Sequence, residues 1–458
     1  MATPDFVIVG AGPGGIRAAE VLAAAGERPL LADEGHAGGG QIYRRQPEGF
    51  RRDARTLYGT EADKAVAVHR TLEALRPHID YRPRTLAWAL RDGELHLIDE
   101  AGRAGVLRPK ALIVAAGATD RIFPLPGWTQ PGIYTLGAAQ IALKAQAMAI
   151  GSRIVFMGAG PLLYLVAWQY WKAGAAPVAV LDTSGLRDRL RGLGRMLSRP
   201  AVVMNGLRYI RDLRRAGVAL YSDITPLAFE GDGTAVAGVR FRDSRGQERR
   251  IACDGAAFGY HLRAESQLAD LAGVPFAFHP LLRQFLPQAD AMGRTAVGGL
   301  YLAGDGVQLA GADGAEAMGR LAAFAALEDL GRPVDGKAVA ALLRQNARLR
   351  RFRDGVAAAF PWPGGRLAGD LPDETIVCRC EEVTAGTLRR AVRDLGAPEV
   401  NRAKALCRVG MGRCQGRYCG LAGAEIVAAE LGRPVADVGR LRGQAPVRPL
   451  PAIVESAP

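Results

Sequence analysis

The stretch Asp5 to Gly15, DFVIVGAGPGG, admits few architectures. Its apolar run reads as a buried strand, its glycines as a tight turn, and Ile16 to Ala25 as the helix that follows. Gly10, Gly12 and Gly15 form G-x-G-x-x-G. The first permits the turn, the second lets backbone approach a pyrophosphate, and the third lets helix and strand pack closely. The helix N-terminus offers free amides and a positive dipole end to that phosphate. A second strand, Pro29 to Ala32, ends on Asp33-Glu34, at the distance where an acid accepts a ribose hydroxyl. Asp33 is the candidate for that contact, with Glu34 as its neighbour. Strand, turn, helix and acid in register make a dinucleotide site rather than a mere turn.

The theme recurs. Arg153 to Met157 reads as a strand, Gly158-Ala-Gly160-Pro-Leu-Leu163 as the turn, and Val178 to Asp182 as the second strand ending in an acid. Leu163 replaces the third glycine, which predicts a shifted helix and a narrowed phosphate approach. NAD(P) at this second fold therefore stays open, against a domain that only packs or holds another nucleotide. Between the copies, Leu86 to Leu107 alternates and is punctuated by Asp92-Gly93 and Ala101-Gly102, the pattern of hairpins. Ala111 to Thr119 reads as a buried strand ending in a small-residue turn, and Pro124-Leu-Pro126-Gly127 as a crossover. Leu186 to Arg215 is arginine-rich and helix-patterned, with Leu186, Leu190, Leu193 and Leu197 near one face. A solvated helix covering the sheet is the expected role, with a docking face for an acidic partner or membrane as the alternative. His261 and Glu265 pair with no nucleophile or metal spacing and read as structural or surface.

Five of the six cysteines fall in the C-terminal region, in Cys378-Arg-Cys380 and Cys407-Arg-Val-Gly-Met-Gly-Arg-Cys414-Gln-Gly-Arg-Tyr-Cys419. Thiolates so gathered want a soft metal or a disulfide. Gly410, Gly412 and Gly416 let the backbone fold tightly and turn amides toward sulfur. Pro361 to Pro372 is a Pro/Gly-rich connector that opens this region. Thr384 can cap a helix with the apolar stripe Leu388, Ala391, Val392 and Leu395, stopped by Gly396. A second helix starts at Cys419 and stops at Gly432, and the proline-rich tail from Gln444 can lie across a neighbour.

The spacing C-x-C, a gap of about a helical hairpin, then C-x4-C resembles the bacterioferritin-associated-ferredoxin-like (BFD-like) [2Fe-2S] domain. The closest pattern is Gly-Met-Gly-x-Cys-Gln-Gly-Arg-x-Cys of the α subunits of dye-linked amine and amino-acid dehydrogenases. That resemblance maps the metal ligands onto Cys378, Cys380, Cys414 and Cys419 and leaves Cys407 a bystander. Zinc held by the same four thiolates is the alternative, although C-x-C opposite C-x4-C suits zinc less well.

The resemblance covers essentially the whole chain. Gly38-Gly39-Gly40-Gln41 is similar to a segment that runs beside the flavin in two-dinucleotide-domain flavoproteins, which brings Gly40, Gln41 and Arg44 near it. Gly117 falls where that family has its A-T-G turn, here Ala-Ala-Gly-Ala-Thr, and Gly299 to Gly306 carries Gly304-Asp305, the other half of an FAD signature. The implied cofactor-binding residues are Gly10, Gly12, Gly14, Gly15, Asp33, Glu34, Gly40, Gln41, Arg44, Gly117, Gly304 and Asp305; no catalytic residue stands out. The implied fold is α/β, a two-dinucleotide-binding-domain flavoprotein (Rossmann-like) with a small helical [2Fe-2S] domain. Residues 1–120 and 285–335 would form the FAD domain and 121–284 the second nucleotide domain. Residues 336–372 would link to a [2Fe-2S] domain at 373–433 and a tail at 434–458.

The resemblance further implies FAD and a [2Fe-2S] cluster as cofactors. It also implies an FAD-containing β subunit of amine or amino-acid oxidase type that oxidises an amino or imino acid, a further partner being a small ferredoxin-like γ subunit. A NAD(P)H-dependent ferredoxin or dye reductase is the rival enzyme, and an iron-delivery or scaffolding partner the non-enzyme. The charge of +13, almost all arginine, could attract nucleic acid or an anionic membrane, but no aromatic-and-basic reading surface appears. Nucleic acid is not expected, whereas peripheral membrane contact stays open. With a first strand already at Phe6 no signal peptide is expected, and no apolar run is long enough to span a bilayer. A cluster needing reduced thiolates adds to the expectation of a cytoplasmic address.

Overall fold

The computed structural model describes residues 4–47, 49–50, 52–451 and 455–456. Phe6–Val9 is buried at all four positions because it lies at the centre of a five-stranded parallel sheet. The order across that sheet is Leu300–Leu302, Ala111–Val114, Phe6–Val9, Leu30–Ala32, Asp80–Arg82. Strands covered on both faces need continuous apolar runs, which explains FVIV and ALIV. Helix α1 (Pro13–Ala24) starts with proline in its first turn and buries Ile16 and Leu22 completely. Each such side chain contributes about 1.5–3 kcal/mol.

Ile154–Ala159 leads the second copy, in a five-stranded parallel sheet ordered Ala219–Ser222, Pro177–Asp182, Ile154–Ala159, Gly255–Tyr260, Ile133–Thr135. Helix α2 (Pro161–Lys172) follows its turn and sinks Leu163 wholly into the second core. Thr85–Arg91, Glu94–Asp99 and Arg103–Leu107 form the expected antiparallel hairpins. Asp92 (φ 52°) and Gly93 (φ 78°) both take positive φ at the first turn, as a tight two-residue hairpin requires.

Helix α3 (Leu186–Met196) departs from the expected packing. It does not lay its leucines on the sheet: Leu186, Leu190, Leu193 and Leu197 are 73, 60, 41 and 56 % exposed. Its contact is Gly192, where a Cβ would stand 2.2 Å from the Gly355 carbonyl oxygen. Glycine lets helix backbones meet, and the leucine stripe, roughly 100–160° round the helix, is left outside. Helix α4 (Pro200–Arg215) is a separate element that buries Tyr209 and Leu213 and leaves Met204 and Leu207 exposed. Helix α5 (Gly311–Asp329) closes the first nucleotide fold against α1, and α6 (Gly336–Ala359) packs on both α5 and α3. Gly319 of α5 meets α1 so closely that a Cβ there would lie 2.0 Å from the Gly14 carbonyl oxygen.

The C-terminal region pairs Ile376–Cys378 with Val383–Thr384, then adds helices Ala385–Arg393, Val400–Cys407 and α7 (Cys419–Leu431). Thr384 caps the first of these through the Thr387 amide at 3.2 Å. Leu395 does not join its apolar stripe: the helix ends at Arg393 and Leu395 is 60 % exposed. The tail also differs from expectation, because it lies on its own chain. The Val447 amide donates to Trp88, Arg448 pairs with Glu34, and Glu455–Ser456 joins the edge strand Arg103–Leu107 in parallel.

Candidate functional site

At the carboxyl ends of the first sheet, packing fixes three of the four fingerprint glycines. A Cβ would lie 2.4 Å from the Ala115 carbonyl oxygen at Gly10, 3.0 Å from that of Ala315 at Gly14, and 1.8 Å from that of Gly10 at Gly15. Gly12 differs: its nearest neighbour is the Gly40 Cα at 3.6 Å. That is a backbone kept bare for approach from outside. Among the described residues no side chain caps α1 at Gly12, so its first amides remain available to an anion. The Gly38 to Gly40 loop folds back over this turn, anchored by the Gly39 amide on the Ala11 carbonyl at 2.8 Å. Gly304 joins from the far strand, its Cα 3.8 Å from the position of a Gly14 Cβ.

The flanking acids separate into two kinds. Asp33 accepts from the Ala11 amide at 2.5 Å and the Gly35 amide at 2.7 Å, and burial pushes its carboxyl up. Glu34 instead turns outward to Arg448 at 2.9 Å, which takes it away from the glycine turn. Asp305 accepts from the Gly311 amide at 2.9 Å, at the start of α5, and burial raises it too. Gln41 is exposed and accepts from Arg44 at 2.7 Å, whereas Arg44 Nε is buried without a partner among the described residues. Gly117 (φ 75°) faces open space, and its carbonyl accepts from the Glu265 amide at 2.9 Å. A bare turn, a free helix end and two strand-end carboxylates fit a dinucleotide such as FAD.

The second fold keeps the turn but fills it from within. Asp182 is fully buried and takes Tyr164 Oη at 2.7 Å, Ser184 Oγ at 2.6 Å, the Ser184 amide at 2.8 Å and Arg189 at 2.9 Å. A Cβ on Gly160 would sit 3.1 Å from the His261 ring, and His261 hydrogen-bonds the Phe360 carbonyl. Burial holds His261 down at about 4, hence neutral. Trp362 follows, with the Arg121 guanidinium 3.7 Å above its ring and its Nε1 donating to Glu425 at 3.0 Å.

Four cysteines of the C-terminal region come together. Cys378 faces Cys419, and Cys380 faces Cys414. The Cys378 thiol falls to about 6, chiefly through its contact with Cys419, against burial and helped by the amides of Gly410, Glu381 and Cys380. Cys407, at the end of its helix, belongs to neither pair, and burial raises it. Gly412 makes the convergence possible, because a Cβ there would lie 2.3 Å from the Cys380 Cβ. Among the described residues no three metal-ligating side chains converge as one ion would need. Two facing thiol pairs suit a binuclear iron–sulfur centre better than zinc.

Sequence reasoning missed what joins the two sites. Glu265 takes Arg417 through both oxygens, at 2.8 and 2.9 Å, and Arg417 donates on to the Cys414 carbonyl at 3.1 Å. Arg263, two residues before Glu265, has its Nη1 buried and without a partner among the described residues. Two cations thus face one carboxylate beside the thiols. An excess buried positive charge demands an anion, and a four-thiolate cluster is one. Arg417 lies within the Cys-Gln-Gly-Arg-Tyr-Cys run, but nothing local marks Glu265 as its partner.

Residues 4–319 match the family model of pyridine nucleotide-disulphide oxidoreductases, and residues 376–429 match the BFD-like [2Fe-2S] binding domain. An opine oxidase subunit of Agrobacterium tumefaciens (strain Ach5) is 37 % identical over 97 % of this chain and 90 % of its own. Hydrogen cyanide synthase subunit HcnB of Pseudomonas aeruginosa is 30 % identical over 97 % of each. Among solved structures, L-proline dehydrogenase from P. horikoshii superposes with a TM-score of 0.67 at 19 % identity, covering 98 % of this chain and 78 % of that one. At that identity the match speaks for the fold.

Proposed function

The chain belongs to the pyridine nucleotide-disulphide oxidoreductase family, beside HcnB and the opine oxidase subunit, and on that premise we propose how its residues serve it. It is a flavin-dependent oxidoreductase with a BFD-like [2Fe-2S] domain, an electron-transfer subunit of a dehydrogenase. Its substrate is an amino or imino acid of the opine, glycine or hydroxyproline type, oxidised on a partner FAD subunit. One small ferredoxin-like subunit can complete the assembly. FAD exchanges electrons in pairs or singly, while a [2Fe-2S] cluster passes one at a time.

The residues divide that work. The bare backbone at Gly12 and the first amides of α1 hold the pyrophosphate, with Gly10, Gly14, Gly15 and Gly40 shaping the turn. Asp33 takes the ribose, and Asp305 with Gly304 takes the ribityl side. Gln41, Arg44 and Gly117 line the flavin approach, whereas Glu34 holds the tail. Cys378, Cys380, Cys414 and Cys419 hold the cluster, and Gly412 lets them close on it. The observation that carries the reading is the buried Glu265–Arg417 pair, which ties the cysteine loop to the strand end beside Gly117. It supports both centres sharing one dry interface.

Co-expression with an amine-oxidase-like β chain is expected to yield dye-linked activity on one of these acids, and failure with every acid tried would reject the reading. A NAD(P)H-dependent dye reductase is the second reading, favoured by the intact turn at Gly158 to Gly160. The filled Asp182 and the Phe360 contact at His261 weigh against it. Stopped-flow mixing with NADH and NADPH separates the two, since rapid flavin bleaching is expected only of a reductase.

A further inference from the structure

Six of the thirteen exposed large apolar side chains in the described residues lie between Leu186 and Leu207. Their concentration in two consecutive helices sets this stretch apart. Leu186, Leu190, Leu193 and Leu197 follow i, i+4, i+7, i+11, which is one stripe along α3. Met204 and Leu207, at 62 and 54 % exposure, add an apolar pair on α4, the next helix in the chain. Folding of the chain does not use them: α3 is held through Gly192 and α4 through Tyr209 and Leu213.

The charge around them is one-sided. Arg187, Arg191 and Arg195 on α3 and four arginines on α4 (Arg208, Arg211, Arg214, Arg215) are exposed, against two acids, Asp188 and Asp212. Both acids are already paired with neighbouring arginines. We propose that α3 and α4 form a surface that docks on an anionic lipid bilayer, with leucines entering the headgroup boundary and guanidinium groups at phosphate level.

Two observations choose lipid over a protein partner. Arg208 and Arg211 interleave with Met204 and Leu207 on one exposed face of α4. A protein partner would have to set an acid opposite each of these arginines one by one. A headgroup layer takes both kinds, because the arginine stems lie along the apolar boundary while their heads reach phosphate. The leucines also stand out by up to 73 %, and protruding apolar side chains suit a yielding surface. No described helix is long and apolar enough to cross a membrane, so the contact is peripheral. This surface stands apart from the electron-transfer reading and survives its failure.

The test is sedimentation of the full chain with vesicles of phosphatidylglycerol mixed with phosphatidylcholine, and with phosphatidylcholine alone. Binding to the mixed vesicles, at least about tenfold stronger than to the neutral ones and weakened by salt, is expected. The double variant Leu190→Ser/Leu193→Ser is expected to lower that partitioning by about tenfold or more with its melting curve unchanged. Absence of sedimentation with anionic vesicles at low salt overturns the proposal. So does binding that ignores the leucine variant. A leucine variant that instead dissociates a dimer or releases a co-purified protein, without vesicle binding by the parent, gives the face to a protein.

Discussion

Arg263 holds the least compensated charge at the junction of the two centres. Its guanidinium is buried beside Glu265, which Arg417 already satisfies through both oxygens. A reduced cluster carries one more negative charge than an oxidised one, so a nearby unpaired cation favours reduction. Arg263→Gln is expected to lower the midpoint potential of the cluster by several tens of millivolts, with Arg263→Lys closer to the parent, in an EPR-monitored redox titration. The thiols make a sharper contrast. Cys414→Ser is expected to lose iron and the visible cluster absorption, while Cys407→Ser keeps both, since Cys407 stands outside the two facing pairs.

Among elements, α1 and α5 illustrate what a backbone contact demands. Gly319 and Gly14 leave no space for a methyl group, so Gly319→Ala must push the helices apart. A loss of about 1–3 kcal/mol is expected from overpacking, with weaker flavin retention, read by thermal melting and by flavin released on gel filtration. The glycine fingerprint was legible in the sequence because its pattern is local, Gly10, Gly15 and Asp33 belonging to one strand–turn–helix–strand unit, although the carbonyls that crowd Gly10 and Gly14 come from distant Ala115 and Ala315. The cysteine motifs were legible for the same reason. Periodicity also put four leucines of α3 on one face, but period alone does not say which way a face points. Gly192 decided that, by meeting a helix more than 150 residues away.

Across the whole molecule, two acids hold the nucleotide folds to the C-terminal region. Glu265 pairs with Arg417, and Asp270 accepts from Arg440 at 2.7 Å, Arg442 at 2.8 Å and the Gly443 amide at 2.6 Å. Burial opposes the charge on both, yet their arginines outweigh it and hold each carboxyl below its ordinary range. A depressed carboxylate stabilises fully above its unfolded value and loses that contribution as pH falls through the folded one. Acidification below the ordinary carboxylate range is therefore expected to lower the melting temperature and release the cluster region, with Glu265→Gln costing about 3–5 kcal/mol already at neutral pH. Neither clasp was visible in the sequence, because its partners are 152 and about 170 residues apart and each is an ordinary surface residue by composition. The fold class and the two halves of the first site needed no such long-range knowledge.

The glycine seat of α3 separates two duties that most amphipathic helices merge. Its leucines are spectators in the thermodynamics of this chain, so serine at Leu186 or Leu197 is expected to leave the unfolding midpoint unchanged and to raise soluble yield. Greasy side chains held in open water, at a standing risk of aggregation, point to a contact beyond the boundary of the single molecule.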